Sequence, residues 1–368
     1  MGIKSWKQRV DDIELRAPFY VDQDNDYYPD LRKRLTRFVS HLEEINADKE
    51  SIRIARKYSD KICEAVRDYY SGRISTCHRR IYNIVKGCLN SEFAVSTLDK
   101  SRAFPGAGEI QFFRARKEDD ARTFEPKEML HRPFTERACF GNYRFSIPGI
   151  TCLFLSNSSY GCWIEVGRPS EHDFNVSPVL LDGTQKIFNL TVMARDILRT
   201  DAGNDDIIHC WIKLLVLMIA TSYRIKEGNR TLRSEYIVSQ GIMLACKKCG
   251  IDGVAYYSKR VEDEIFAFSA INLALFSERN GKSEYGIICN RLKIDESMNY
   301  QFFKQLGSKY RNKSYQLRIE SHQYIDNIGK YRYQYSIRDT DFIIFDKFLF
   351  GRWADKDNQP WGNALITK

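Results

Sequence analysis

The chain has 368 residues, more than one compact core usually holds, so one large domain or two are expected. Hydrophobic residues make up 43% and aromatics 13%, ample for a packed interior and too much for a disordered chain. The formal net charge of +9, from 57 Lys and Arg against 48 Asp and Glu, favours anionic partners without choosing among nucleotides, phosphates and nucleic acid. The basic residues are scattered, as in LRKRLTRF at 31–38, so a nucleic-acid-binding tail is not expected.

The opening MGIKSWKQRVDDIELR is polar throughout, and no secretion leader is expected. Its sixth residue is Trp, where the myristoylation pattern wants Ser or Thr. Ten cysteines without a leader read as reduced thiols in a cytoplasmic protein.

Residues 1–107 read as a mainly helical region. LRKRLTRFVSHLEEI (31–45) places Leu31, Leu35, Phe38, Val39, Leu42 and Ile45 at helical spacings. RIARKYSDKICEAVRDYY (53–70) and GRISTCHRRIYNIVKGCL (72–89) continue in that style, and the three together read as a scaffold or docking region. RAFPGAGE (102–109), with Pro and two Gly, is the expected boundary before a second region at 108–368.

After it the texture turns to β. Strands are expected at 110–116, 150–156, 186–194, 253–258, 271–277 and 284–290. Helices are expected between them at 158–167, 207–223 and 235–250, the last ending on Gly250. The apolar stretch WIKLLVLMIATSY (211–223) contains Lys213 and is too short to span a bilayer, so no membrane association is expected. The aromatic-rich, alternating stretch 291–368 reads as further strands and loops.

The chemistry concentrates between Gln111 and Pro169. In FFRAR (112–116), Arg114 and Arg116 fall on one face of a strand. They either clamp an anionic group such as a pyrophosphate or form the solvated face of an edge strand. Arg144 precedes the Pro148-Gly149 turn, where it reaches a ligand or makes an ordinary ion pair. Phe154 in CLFLS faces core or ligand. Glu165 in GCWIEVG has no acidic neighbour and reads as half-buried, so it needs a partner. It either stabilises a developing positive charge or joins two elements by an ion pair. Ser258 ends GVAYYS and either binds ligand or caps a turn. His131 is the one dispersed histidine inside this segment. Cys246 and Cys249 form a CxxC without a second pair, so no metal site is expected. No GxSxG, P-loop or GxGxxG is present, which disfavours hydrolase triads, P-loop ATPases and Rossmann dehydrogenases.

Taken in order, FFRAR (112–116), MLHRPF (129–134), YRFSIPG (143–149), CLFLS (152–156), CWIE (162–165), GVAYYS (253–258) and NLALF (272–276) resemble the RES-domain family, named for an Arg, a Glu and a Ser. The resemblance covers about residues 110–280, and the helical region before it is similar to that of longer, stand-alone members. It implies an α/β (α+β) fold: an ADP-ribosyltransferase-like split β-sheet core with flanking helices, preceded here by the N-terminal helical region. It implies NAD+ as substrate, no metal, and cleavage of the nicotinamide–ribose bond by a bacterial toxin or phage-defence effector. A protein ADP-ribosyltransferase or a non-catalytic NAD-binding module is the alternative. An antitoxin or regulatory protein is the implied partner, and a homo-oligomer is left open. Carried onto this sequence, Arg114 and Arg144 hold phosphates and ribose, with Arg116, Tyr143 and Ser146 beside them, and Glu165 is the catalytic carboxylate. Ser258 is the family serine and orders the nicotinamide side. The chain departs from the family at Phe154, where the pattern has tyrosine. A phenyl ring stacks but cannot donate a hydrogen bond. Tyr143 and Tyr160 are the candidates to replace that hydroxyl.

Overall fold

A computed structural model of the chain describes residues 6–21, 26–90, 94–97, 110–118, 122–194, 205–225, 231–261, 270–306 and 340–354. The fold is mixed α+β. The expected boundary at 102–109 lies outside the described residues.

The N-terminal region is helical as its spacing predicts. Helix α1 (Tyr27–Glu44) is capped by Asp26, whose carboxylate accepts from the Tyr27 amide. Helix α2 (Lys49–Tyr70) is capped by Asp48, which accepts from the Ser51 amide. Helix α3 (Ile74–Lys86) follows. The two-residue strand β1 (Phe19–Tyr20) precedes them, and β2 (Val95–Thr97) follows.

The main sheet has nine strands among the described residues. Besides β2 they are β3 (Ile110–Lys117), β4 (Cys152–Ser156), β5 (Phe174–Leu181), β6 (Lys186–Leu190), β8 (Gly253–Tyr257), β9 (Ile271–Phe276), β10 (Leu292–Ile294) and β11 (Met298–Asn299). Strand β7 (Tyr223–Arg224) stands apart and pairs in parallel with β1. The order is β10-β5-β3-β4-β9-β8-β6-β2, with β11 also on β5; only β6 and β8 run parallel.

The sheet is divided at one seam. β3 pairs with β5 over eight positions, from Ile110↔Leu181 to Lys117↔Phe174. With β4 it pairs only at Phe113↔Ser156, and there the two strands part. One apolar layer, including Phe112, Leu153, Val179, Ala255 and Leu273, runs under both halves. The other face is covered in two parts. Helices α5 (Asp205–Thr221) and α6 (Ile237–Lys248) cover the β4-β9-β8-β6 half and share one core with α1–α3. Helices α4 (Ser159–Glu165), α7 (Tyr300–Gln305) and α8 (Thr340–Ala354) cover β3 and β5.

α5 is apolar nearly all round because it is buried nearly all round, between α2 and the sheet. Among the described residues no helix is long and apolar enough to cross a membrane. α6 stops at Gly250, whose φ of +68° suits glycine.

Three expectations need correction. The run at 284–290 is not a strand: a 3-10 turn at Ile287–Arg291 leads into the short β10. Within the aromatic stretch, the described Tyr300–Gln305 and Thr340–Ala354 are helices α7 and α8, not strand or loop. β5 was not among the expected strands, although all eight of its residues are buried.

Candidate functional site

Where β3 and β4 separate, a cleft of about 600 Å³ opens between the two helical covers. Arg114, Arg116, His131, Tyr143, Arg144, Ser146, Phe154 and Glu165 all line it. Cationic side chains reach it from several segments, and Glu165 is the only acidic residue among the described residues that line it. Such a wall favours an anionic ligand.

Glu165 is the last residue of α4, a short helix begun by Ser158, whose hydroxyl accepts from the Gly161 amide at 2.9 Å. Its Oε1 accepts from the Ser258 hydroxyl and from Asn272 Nδ2 at 2.6 Å. Its Oε2 stands 3.8 Å from Arg260 Nε, and the side chain remains 32% exposed. The carboxylate is thus oriented through one oxygen and open to the cleft on the other side. Strand geometry explains the clamp. Ser258 lies two residues beyond Tyr256, and Tyr256 is in register with Asn272, so all three project from one face toward α4. Burial, with Glu165 nearby, pushes the Tyr256 phenol well above its usual value and keeps it neutral.

Ser258 therefore touches Glu165 rather than lining the cleft, and its oxygen also accepts from the Arg260 amide at 3.1 Å. Asn272, Arg260 and Tyr256 escaped the sequence reading as individual residues. Asn272 and Tyr256 nevertheless lie inside NLALF and GVAYYS, and period-two alternation would have aligned Tyr256 with Ser258.

Arg114 and Arg116 lie on one face of β3, but β3 is an interior strand, so the solvated-edge reading fails. Arg114 spans the seam: Nη1 donates to the Phe154 carbonyl at 2.9 Å and Nε to the Met129 carbonyl at 3.3 Å. Burial and the neighbouring Arg116 push its pKa down to about 10, which leaves it charged at neutral pH. Arg116 donates to the Leu130 carbonyl at 3.2 Å, and its buried Nε has no hydrogen-bond partner. Burial, then Arg132, lowers its pKa also.

Arg144 projects from a tight turn in which Tyr143 bridges to Ser146. Phe145 takes φ +59° and buries its ring against Tyr256, 4.8 Å between centroids. A left-handed backbone at a bulky residue persists only where its surroundings impose it. Here Gln240 of α6 donates to Asn142 Oδ1 and the Ser146 carbonyl, and Arg233 donates to the Asn142 carbonyl. The Arg144 guanidinium lies 5.1 Å over the Tyr256 ring, and its buried Nε has no hydrogen-bond partner. The Ser146 hydroxyl is used within the turn, donating to the Ile150 carbonyl at 2.8 Å.

Phe154 lines the cleft edge-on to Tyr143, 5.9 Å between centroids. Tyr143 is 53% exposed, so its phenol is open to solvent at the cleft. Tyr160 does not serve: it packs against Trp163 and Phe342 under α8, away from the cleft. His131 is buried, and burial lowers its pKa. Its Nε2 accepts from the Gly286 amide at 2.9 Å, so Nδ1 carries the proton toward the Arg132 carbonyl at 2.7 Å. It thus orients the loop at the cleft rim. Cys246 is buried with its pKa raised well above the usual thiol value by burial, and Cys249 ends α6. No group of three or more His, Cys, Asp or Glu is placed to hold a metal ion among the described residues.

No protein-family profile matches the chain. A Bacillus subtilis (strain 168) protein described as "Putative toxin YopC" is 25% identical over 255 residues, 61% of this chain. The chain spans about half, 54%, of that relative's length. The M. tuberculosis MbcT-MbcA toxin-antitoxin complex aligns with 53% of this chain and 88% of its own, at 15% identity and a TM-score of 0.27, too slight a likeness to build on.

Proposed function

We propose that the chain is an NAD+-cleaving enzyme of RES type that acts as a toxin. The observation that carries this reading is Glu165, oriented by Ser258 and Asn272 at the wall of a cation-lined cleft. The ordered motifs and the similarity to a protein described as a toxin support it. An antitoxin-like partner belongs to the same proposal and rests on the family resemblance.

In this reading Arg144 and Arg116, which both line the cleft, hold the pyrophosphate. That grip places the nicotinamide ribose beside Glu165. The C1′–N bond breaks with its electron pair moving to the ring nitrogen, so neutral nicotinamide leaves. Positive charge then develops on C1′ and the ribose ring oxygen. The Glu165 carboxylate stabilises that charge more than it stabilises bound NAD+, because the charge exists only as the bond breaks. The oxygen of water, or of another acceptor, closes on C1′, and any proton it carries passes to solvent. Arg260, 3.8 Å from Glu165, shares the carboxylate until the ribose arrives.

The test is chromatography of NAD+ incubated with the protein, with and without phosphate, beside Glu165→Gln. Wild type is expected to release nicotinamide, and the variant to do so about 10²–10³-fold more slowly. Equal rates would remove Glu165 from the chemistry. Tight NAD+ binding without turnover would favour a non-catalytic module. Label moving from NAD+ onto added protein would favour ADP-ribosyl transfer.

A further inference from the structure

Helix α4 holds the key carboxylate, yet it has only seven residues. A helix this short has little stability of its own, so tertiary contacts set its direction. Its last residue is held by Ser258 and Asn272 through Glu165. Its first is held from a distant part of the chain: the Ser159 amide donates to Asp346 Oδ1 at 3.1 Å. Asp346 is a buried carboxyl in the middle of α8, a helix otherwise dominated there by Phe, Ile and Leu. One turn earlier, the Phe342 ring packs on Tyr160 and Trp163 of α4, at 5.4 and 5.7 Å between centroids. Cys162 of α4 is within electrostatic reach of Asp346: burial first, and then this carboxyl, push its thiol pKa up. A carboxyl in an apolar layer is costly unless it serves a partner.

We infer that Asp346 is a positioning residue for Glu165, with α8 fixing the amino end of α4 so that its carboxyl end meets Ser258 and Asn272. The inference rests on Glu165 being the catalytic group. Leverage makes the contact matter. At 1.5 Å per residue α4 is about 10 Å long, so a tilt of about 6° shifts its far end by about 1 Å. A misplacement of that size can cost roughly 10²-fold in rate. Burial pushes the Asp346 carboxyl up to about 8. Near neutral pH it is therefore mostly protonated, and Asn is a close isostere that keeps Oδ1 as acceptor.

The experiment compares Asp346→Asn and Asp346→Leu at pH 7, measuring NAD+ cleavage and amide hydrogen exchange across α4. Leu fills the space without an acceptor. It is expected to lose about tenfold or more in kcat with KM within about twofold of wild type, and to speed exchange at Ser159. Asn is expected to stay within about threefold of wild type in kcat, with α4 protection intact. Asp346→Ala, which leaves space instead of filling it, must behave like Leu and serves if the Leu variant does not fold. Wild-type kcat in Leu or Ala, or equal losses in Asn and Leu spread over kcat and KM, would overturn the inference. Should wild type itself leave NAD+ intact, the functional reading falls on that result alone. The exchange arm then still decides whether Asp346 holds α4: protection unchanged in Leu and Ala overturns the inference.

Discussion

Strand β3 has two unlike edges. Along β5 it keeps an eight-residue register and sits over an apolar layer. Along β4 it keeps a single pair at Phe113↔Ser156. Beyond that pair the Arg114 guanidinium donates to the Phe154 carbonyl, doing by side chain what a ladder bond would do by backbone. β4 is in turn fully paired with β9 over five positions. Both strands are anchored on their outer edges, so the sheet can part between them without losing its core. The closed edge stores stability, and the open edge exposes guanidinium groups and a carboxylate to one cleft.

The largest effect is expected on the closed edge. Phe112 is fully buried in the layer beneath β3 and β5. Phe112→Ala should lower unfolding free energy by about 3–5 kcal/mol, read from denaturant midpoints, and leave KM for NAD+ nearly unchanged. A loss below about 1 kcal/mol would mean that the closed edge is not where stability resides.

The open edge should respond in the opposite way. Asn272→Ala removes one of two neutral donors to Glu165 Oε1, and Ser258→Ala removes the other. A hydrogen bond to a charged group contributes about 1.5–3 kcal/mol, so each variant should lose about 10–100-fold in kcat. Neither needs to move the unfolding midpoint much. Intact kcat in Asn272→Ala combined with a large stability loss would erase the contrast between the edges.

That contrast was only partly legible in the sequence. α1 announced itself because Leu31, Leu35, Phe38 and Leu42 fall on one face, and β4, β8 and β9 because their apolar runs are short and bounded. β5 was hidden because Asn175, Ser177 and Pro178 interrupt it, and a proline inside a central strand argues against the assignment. The aromatic-rich, alternating texture around α8 predicts strands and loops there. Phe342 stacked on Tyr300, Phe345 edge-on to the same ring and Phe342 tilted against Trp163 decide otherwise, and only the fold supplies those partners. In the site, Glu165 stood out as a lone carboxylate in an apolar stretch. Asn272 did not, because an amide opening a strand has no signature until register sets it beside Glu165.

The smallest effect probes the departure at Phe154. This ring is half-buried, lines the cleft and meets Tyr143 edge-on. If the Tyr143 phenol already supplies the donor that Phe154 lacks, Phe154→Tyr adds a hydroxyl with no task. Its kcat/KM should then change by less than about threefold, below the roughly 1 kcal/mol of one neutral hydrogen bond. Tyr143→Phe should lose more than Phe154→Tyr gains. A gain of tenfold or more in Phe154→Tyr, with Tyr143→Phe unchanged, would show that the cleft lacks this donor. The open edge would then be an incomplete version of the site found in the family that the motifs resemble, and the closed edge would hold a fold whose chemistry has been weakened at one ring.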